Sequence, residues 1–206
     1  MPVVIDKLKA GELVINKTRV GFLVKDRQVV FRRQPAGLTR LTPAMTSNTA
    51  PAPFVASASS VYSTGTGFQA ANAYSQRADP NIGSSDTWFS GPVFSGGTGM
   101  AWNQIYLGPV ARTLRHVVLR VRGVQPSQGD MDQTPRDFVL QGSVDGVNFT
   151  DLETVVDSPR PLAGPGYGIF HETDVNAVIN YFRVYITKTW NGSLGVAAIG
   201  EIELYG

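Results

Sequence analysis

The sequence predicts an all-β chain, a β-sandwich over residues 54–206 preceded by a small β-meander (residues 1–33) and a linker rich in Pro, Ser and Thr (residues 34–53). Three observations carry this. Val, Ile, Phe and Tyr gather in short runs of alternating polarity, turn signals separate the runs, and no segment shows a helical period. The 22 Gly and 13 Pro among 206 residues supply the turns, and a hydrophobic share of 42% against 17% charged supplies a core.

In the head, Gly11–Asn16 and Arg19–Lys25 are β-rich runs parted by Asn16-Lys17-Thr18, and Gln28–Arg32 follows the turn residues Asp26-Arg27. A meander this small buries too little apolar surface to stand alone, so it is expected to pack against copies of itself or a larger partner. Residues 1–40 hold 9 of the 18 Lys and Arg and 3 of the 16 acids, a local charge of +6, while the remainder carries −4. The acidic remainder argues against a nucleic-acid surface, and the head lacks the aromatic interleaving of a single-strand binder. Docking on an acidic protein surface is the expected use of its charge. Pro35, Gly37, Pro43, Pro51 and Pro53, set among Thr, Ser, Ala and Asn, then mark the linker.

Between Phe54 and Trp88 small and polar residues with isolated Tyr62, Phe68 and Tyr74 predict loops and one short strand. Trp102–Leu107 reads as a strand stopped by Gly108-Pro109, and Leu114, Val117, Leu119 and Val121 mark a Val-rich strand. Phe138–Val144 leads into Asp145-Gly146, read as a tight hairpin turn with φ > 0 at both central residues, before Asn148–Leu152. In Tyr181–Ile186 the alternation puts Phe182, Val184 and Ile186 toward the core and Tyr181, Arg183 and Tyr185 away from it. Ile199–Tyr205 is the last strand. Short strands separated by turns make a sandwich, and no internal repeat is found.

The same sequence lacks the constellations of catalysis. There is no Cys, so no thiolate nucleophile or thiolate metal site, and no Gly-x-Ser-x-Gly elbow. Ser95–Gly99 is Gly-rich but lacks the Lys-Ser/Thr ending and following helix of a phosphate cradle. His116 and His171 have no metal-ligand spacing, and His116 is expected on the outward face of its strand. Of the acid pairs, Asp145 serves a turn, and Glu201 and Glu203 point to one side of one strand. The chain is expected to be non-enzymatic. No stretch approaches a membrane span, and Met1-Pro-Val-Val-Ile-Asp6 does not open like a secretion signal, so a soluble chain without a signal peptide is expected.

Five landmarks occur in order: Ala56–Ser60; Ala71-Asn-Ala-Tyr74 leading to Trp88; Trp102–Gly108; Phe138–Phe149; and Tyr181–Ile186 followed by Glu201–Gly206. Together they resemble the discoidin or coagulation-factor type C family, the galactose-binding-like jelly roll that includes many carbohydrate-binding modules. The resemblance implies ligand loops at the end of the sandwich opposite its termini, with glycans, lipid headgroups or proteins as ligands. It places Trp88 and Trp102 in the core. It also implies a structural Ca2+ between the loop after the Asn-Ala-Tyr motif and a Glu of the final strand, with Asp79, Asp86 and Glu201 as candidate ligands. Here Ser75-Gln76 replaces the family's Asp-Gly, which favours the alternative of solvated loop acids beside a surface strand Glu.

A sugar offers a C–H face to an aromatic ring and hydroxyls to fixed polar groups. Trp190, in the turn-like Thr187–Gly192, is the candidate stacking platform, set against a packing role, with Asn191, Tyr167, His171 and Arg136 as candidate neighbours. The head's Ala10–Asn16 and Gly21–Asp26 resemble the hairpin that opens many phage tail-fibre and baseplate proteins. The combination implies a virion protein located on a phage tail or capsid. Residues 1–40 would contact other virion proteins, a trimer being the favoured homo-oligomer, and the C-terminal module would bind host-surface carbohydrate. Nucleic-acid binding and membrane insertion are not expected. The alternatives are a decoration protein with protein contacts only and an accessory carbohydrate-binding module of a bacterial glycoside hydrolase.

Overall fold

The computed structural model describes residues 11–15, 18–25 and 28–31 by their backbone, and residues 37–62, 67–76, 87–122, 127–162, 168–190 and 195–206. The chain divides into two units, Met1–Leu38 and Thr39–Gly206. In the first, β1 (Gly11–Ile15), β2 (Thr18–Lys25) and β3 (Gln28–Phe31) form an antiparallel sheet in the order β1-β2-β3, the meander that the runs predict.

The second unit is a β-sandwich. One sheet has five strands in the order β4-β6-β11-β8-β9: Val55–Ala58, Thr98–Tyr106, Tyr181–Thr189, Pro135–Ser143 and Thr150–Val155. The facing sheet is β10-β7-β13, from Ile169–Ile179, Arg112–Arg120 and Glu201–Tyr205. A small sheet joins β5 (Trp88–Phe89) to β12 (Ala198–Ile199). Period-two alternation builds the core: Phe182, Val184 and Ile186 are fully buried, as the strand pattern requires, against Leu140, Phe138 and Ile105 of the same sheet and Leu114, Val117, Leu119, Ile202 and Leu204 of the other.

The expected linker is shorter than its composition implies. Residues 39–53 belong to the sandwich unit: the Thr39 N–H donates to Gly206 O (2.9 Å), Gly206 N–H returns to Thr39 O (3.0 Å), and Leu41 N–H donates to Leu204 O (2.8 Å). The prolines there do not prevent this, because Thr39–Leu41 hold none and can present their backbone to the open edge of β13. The expected last strand is also divided. At Gly200 the chain approaches Val121 O so closely that a Cβ would lie 2.2 Å from it, and β12 and β13 part at that contact. Two short helical turns appear where none is expected, a 3-10 turn at Ala70–Tyr74 and α1 at Gln128–Met131, the latter held by a Ser127/Asp130 capping box.

The Asp145-Gly146 hairpin joins β8 to β9, but through a longer loop in which only Gly146 has positive φ (75°). Asp145 instead accepts the backbone N–H groups of Val147 (2.9 Å) and Asn148 (2.8 Å). Trp88 is fully buried as expected. Trp102 is not in the core: β6 turns Ala101, Asn103 and Ile105 inward and leaves Trp102 half-buried on the outer face, opposite Tyr185. The inward place goes to Asn103, whose amide donates to Ala70 O (3.2 Å), so a polar residue that reads as solvent-facing anchors the 3-10 turn.

Candidate functional site

The ends of the strands sort the loops. Tyr205-Gly206 pairs with Thr39-Arg40 at one end, and β11, β8 and β10 run antiparallel so that Thr189, Pro135 and Ile169 lie at the other. The described loop residues 59–62, 67–69, 90–97, 121–122, 127–134, 156–162 and 195–197 therefore lie toward the end opposite the termini of the unit. That is the end at which the family resemblance expects a ligand.

Arg136 and Trp190 meet there. The guanidinium lies over the indole with Cζ 5.1 Å from the ring centroid, and its Nε also bonds Asp157 (3.0 Å). One face of Trp190 thus carries a cation, and its Nε1 is buried without a partner among the described residues. His171 does not join them. It lies within β10, not in a loop, with Nε2 2.9 Å from Glu153 Oε2 and its ring edge-on to Phe138, so it closes the sandwich edge between β10 and β9. Asn191 and Tyr167 lie outside the described residues. His116 takes the outward side of its strand as expected but is buried there, its Nδ1 2.6 Å from Asp174 Oδ1 and its ring beside Tyr205.

A second cluster at this end escapes the sequence reading. Phe68 stacks on Phe89 at 4.4 Å, Tyr62 stands edge-on to Phe68 at 5.8 Å, and the Arg122 guanidinium lies 4.6 Å from the Phe89 centroid. Tyr62 is 44% exposed. Phe68 holds a φ of 64°, a left-handed conformation that a bulky residue rarely adopts and that places its ring in the stack. Arg122 bonds Asp130 (2.8 Å) and Gln133 (3.1 Å), while its Nε and the Gln133 Nε2 are buried without partners among the described residues. Burial lowers the Arg122 pKa from its ordinary value and Asp130 opposes that. The available signal was the isolation of Tyr62 and Phe68 in a run of Ser, Thr and Gly, where an aromatic has no strand period to place it in the core.

The charges at this end are matched. Arg122 pairs with Asp130, Arg136 with Asp157, Arg160 with Asp132 (2.6 Å), and Lys188 with Asp137 (2.8 Å). The Arg160 hydrogen bond holds Asp132 below the usual carboxylate range.

Of the calcium candidates, Asp79 and Asp86 lie outside the described residues. Glu201 is not the surface residue that the alternative reading describes: it is 1% exposed, beneath Arg40 and the end of the 3-10 turn. Its oxygens accept the Gln76 backbone N–H (3.1 and 3.2 Å) and the Arg40 Nη2. Burial pushes its carboxyl up to about 8, Arg40 and the Gln76 N–H opposing the rise and Glu203 adding to it. Calcium needs 6–8 oxygen ligands, whereas among the described residues Glu201 is met by hydrogen-bond donors, an environment that does not fit the ion. Among the described residues no group of three or more His, Asp or Glu is placed to hold a metal, and no helix is long and apolar enough to cross a membrane.

No protein-family profile matches the chain, and no curated protein matches it in sequence. Solved structures do match. Chitosan-binding module 1 from a chitosanase/glucanase of Paenibacillus sp. IK-5 superposes with a TM-score of 0.52 at 22% identity, covering 82% of this chain and 99% of the module. The module CBM32-5 of Clostridium perfringens, in complex with GalNAc-β-1,3-galactose, gives 0.52 at 15% identity over 74% of this chain and 95% of that one. Allantoicase from Saccharomyces cerevisiae gives 0.52 at 13% identity, covering 86% of this chain and 46% of the enzyme. At these identities the likeness is one of fold: the sandwich of this chain is a galactose-binding-like, discoidin-type jelly roll, the fold of these carbohydrate-binding modules.

Proposed function

We propose that the chain is a non-enzymatic carbohydrate-binding protein whose ligand docks on the loops opposite Gly206. The observation that carries this is the Tyr62–Phe68–Phe89 group with Arg122 laid against it: an exposed ring for the C–H face of a sugar and a guanidinium edge for its hydroxyls. The positive φ of Phe68 supports the reading, since such conformations collect at binding sites. Buried donors without partners among the described residues, Arg122 Nε and Gln133 Nε2, fit a place completed by water or ligand. Because Arg122, Arg136, Arg160 and Lys188 each carry a carboxylate already, the ligand is an uncharged sugar rather than a phosphate or lipid headgroup. Arg136 and Trp190, at the same end, would extend the contact.

In its finer form the proposal places the chain in a phage particle, with the β-meander of residues 11–31 as anchor and trimerisation element and the sandwich turned to a host-surface glycan. The basic head and its hairpin motif support that reading. The source of the chitosan-binding module favours a second one, an accessory module of a glycoside hydrolase. Two measurements on the full chain test these. Incubation with insoluble chitosan and with galactose-bearing polysaccharide is expected to retain the protein on at least one and release no reducing ends; release of sugar would overturn the non-enzymatic reading. Sedimentation is expected to show a trimer, and a monomer at all concentrations would remove the particle-anchor form.

A further inference from the structure

Beside Glu201, where the family resemblance implies a calcium ion, the carboxylate is met by an arginine. Three segments distant in sequence converge on the Glu201 carboxylate: the start of the sandwich at Arg40–Thr42, the end of the 3-10 turn at Ser75-Gln76, and the first residue of β13. Arg40 reaches it from an edge segment pinned to β13 by the Thr39–Gly206 and Leu41–Leu204 hydrogen bonds. Its Nη2 bonds Glu201 Oε1 and also donates to Ile202 O (3.3 Å), and its Nε donates to Thr42 Oγ1 (3.4 Å). Gln76, at the place of the family's Gly, keeps a left-handed φ of 56°, gives its N–H to both Glu201 oxygens, and sends its side-chain amide to Thr42 O (2.7 Å).

Among the described residues, the hydrogen bonds that the carboxylate accepts all come from N–H donors. A calcium ion would require oxygens there. We infer that the Arg40 guanidinium replaces the structural calcium ion of this fold, so that the chain neutralises Glu201 and ties its first edge segment, its 3-10 turn and its last strand together without metal. The neighbouring carboxylate is handled in the same way: Glu203 accepts Arg120 Nε and the Tyr205 hydroxyl, both at 2.5 Å, on the same face of β13. An arginine serves both places because its guanidinium is always charged and presents several donors in a fixed plane.

Thermal unfolding of the full chain tests this independently of any sugar. The wild type is expected to melt at one temperature in millimolar Ca2+ and in EGTA. At pH 9, above the value of about 8 to which burial pushes the Glu201 carboxyl, Arg40→Ala is expected to melt about 10 °C lower than wild type, since removing one partner leaves a buried carboxylate without its counter-charge. Should Arg40→Ala fail to fold, the double variant Arg40→Ala/Glu201→Gln is expected to fold, because the charge that needed the guanidinium is gone. A wild type that loses stability in EGTA would overturn the inference, as would an Arg40→Ala protein that melts like wild type at pH 9. A double variant no more stable than Arg40→Ala would also overturn it, by showing that Arg40 does not act through Glu201.

Discussion

The Arg136 guanidinium lies over the indole of Trp190, 5.1 Å from its centroid, at the end of the sandwich away from Gly206. Each residue holds the other in place: β8 and β11 are neighbours in the sheet, and Thr189 pairs with Pro135 immediately beside them. The stack is expected to contribute about 0.5–1 kcal/mol at this partly exposed site. A double-mutant cycle of Arg136→Ala and Trp190→Ala in urea measures it, with a coupling energy in that range expected and a coupling near zero ruling the stack out.

The two tryptophans of the landmark motifs are expected to respond differently to truncation. Trp88→Ala removes a fully buried ring whose Nε1 donates to Ser60 O (3.2 Å), and is expected to cost about 3–5 kcal/mol. Trp102→Ala removes an outer-face partner of Tyr185 and is expected to cost about 1 kcal/mol or less. Chemical denaturation of both variants checks the contrast, and equal losses would return Trp102 to the core.

That contrast shows what the sequence makes legible. Strand alternation places Phe182, Val184 and Ile186 inside because three large apolar residues in step leave no second choice. In β6 the core place of Trp102 is what the family resemblance implies, whereas the strand turns Asn103 inward beside Ala101 and Ile105. Only the Asn103 bond to Ala70 O makes the polar residue acceptable inside. The candidate site is less legible for a related reason. Arg136 and Trp190 are 54 positions apart and meet only through sheet order, and Tyr62, Phe68 and Phe89 join through loops whose path depends on Phe68 adopting a positive φ. The roles of Arg40 and Glu201 depend on a pairing across 161 residues that no local pattern announces.

Acid stability follows from Asp132. Arg160 holds its pKa below the ordinary value of 3.8, so the carboxylate is easier to keep charged in the folded than in the unfolded chain. The stabilisation from this pair is present above that ordinary value and is lost as pH falls through the lower folded value. Arg160→Ala is therefore expected to be less stable than wild type at neutral pH, with the deficit closing below about pH 4. Denaturation midpoints across pH 2–7 would reveal it, and a deficit independent of pH would disprove the pairing.

The β8–β9 loop makes one glycine hard to replace. Gly146 has a φ of 75°, and a Cβ there would meet the Tyr181 ring at 2.8 Å. Gly146→Ala is expected to destabilise the chain by more than about 1 kcal/mol, combining backbone strain with displacement of the ring. A thermal melt that is unchanged would contradict this geometry.

The central claim is that an uncharged sugar binds at the loops around Tyr62 and Arg122. Calorimetric titration of the full chain with neutral oligosaccharides, chosen from a glycan array, tests it most directly. The account predicts saturable binding that weakens about tenfold or more in Tyr62→Ala, a loss of about 1.4 kcal/mol, while the melting temperature is retained. Binding that is unchanged in Tyr62→Ala, or the absence of binding to every neutral glycan on the array, would contradict it.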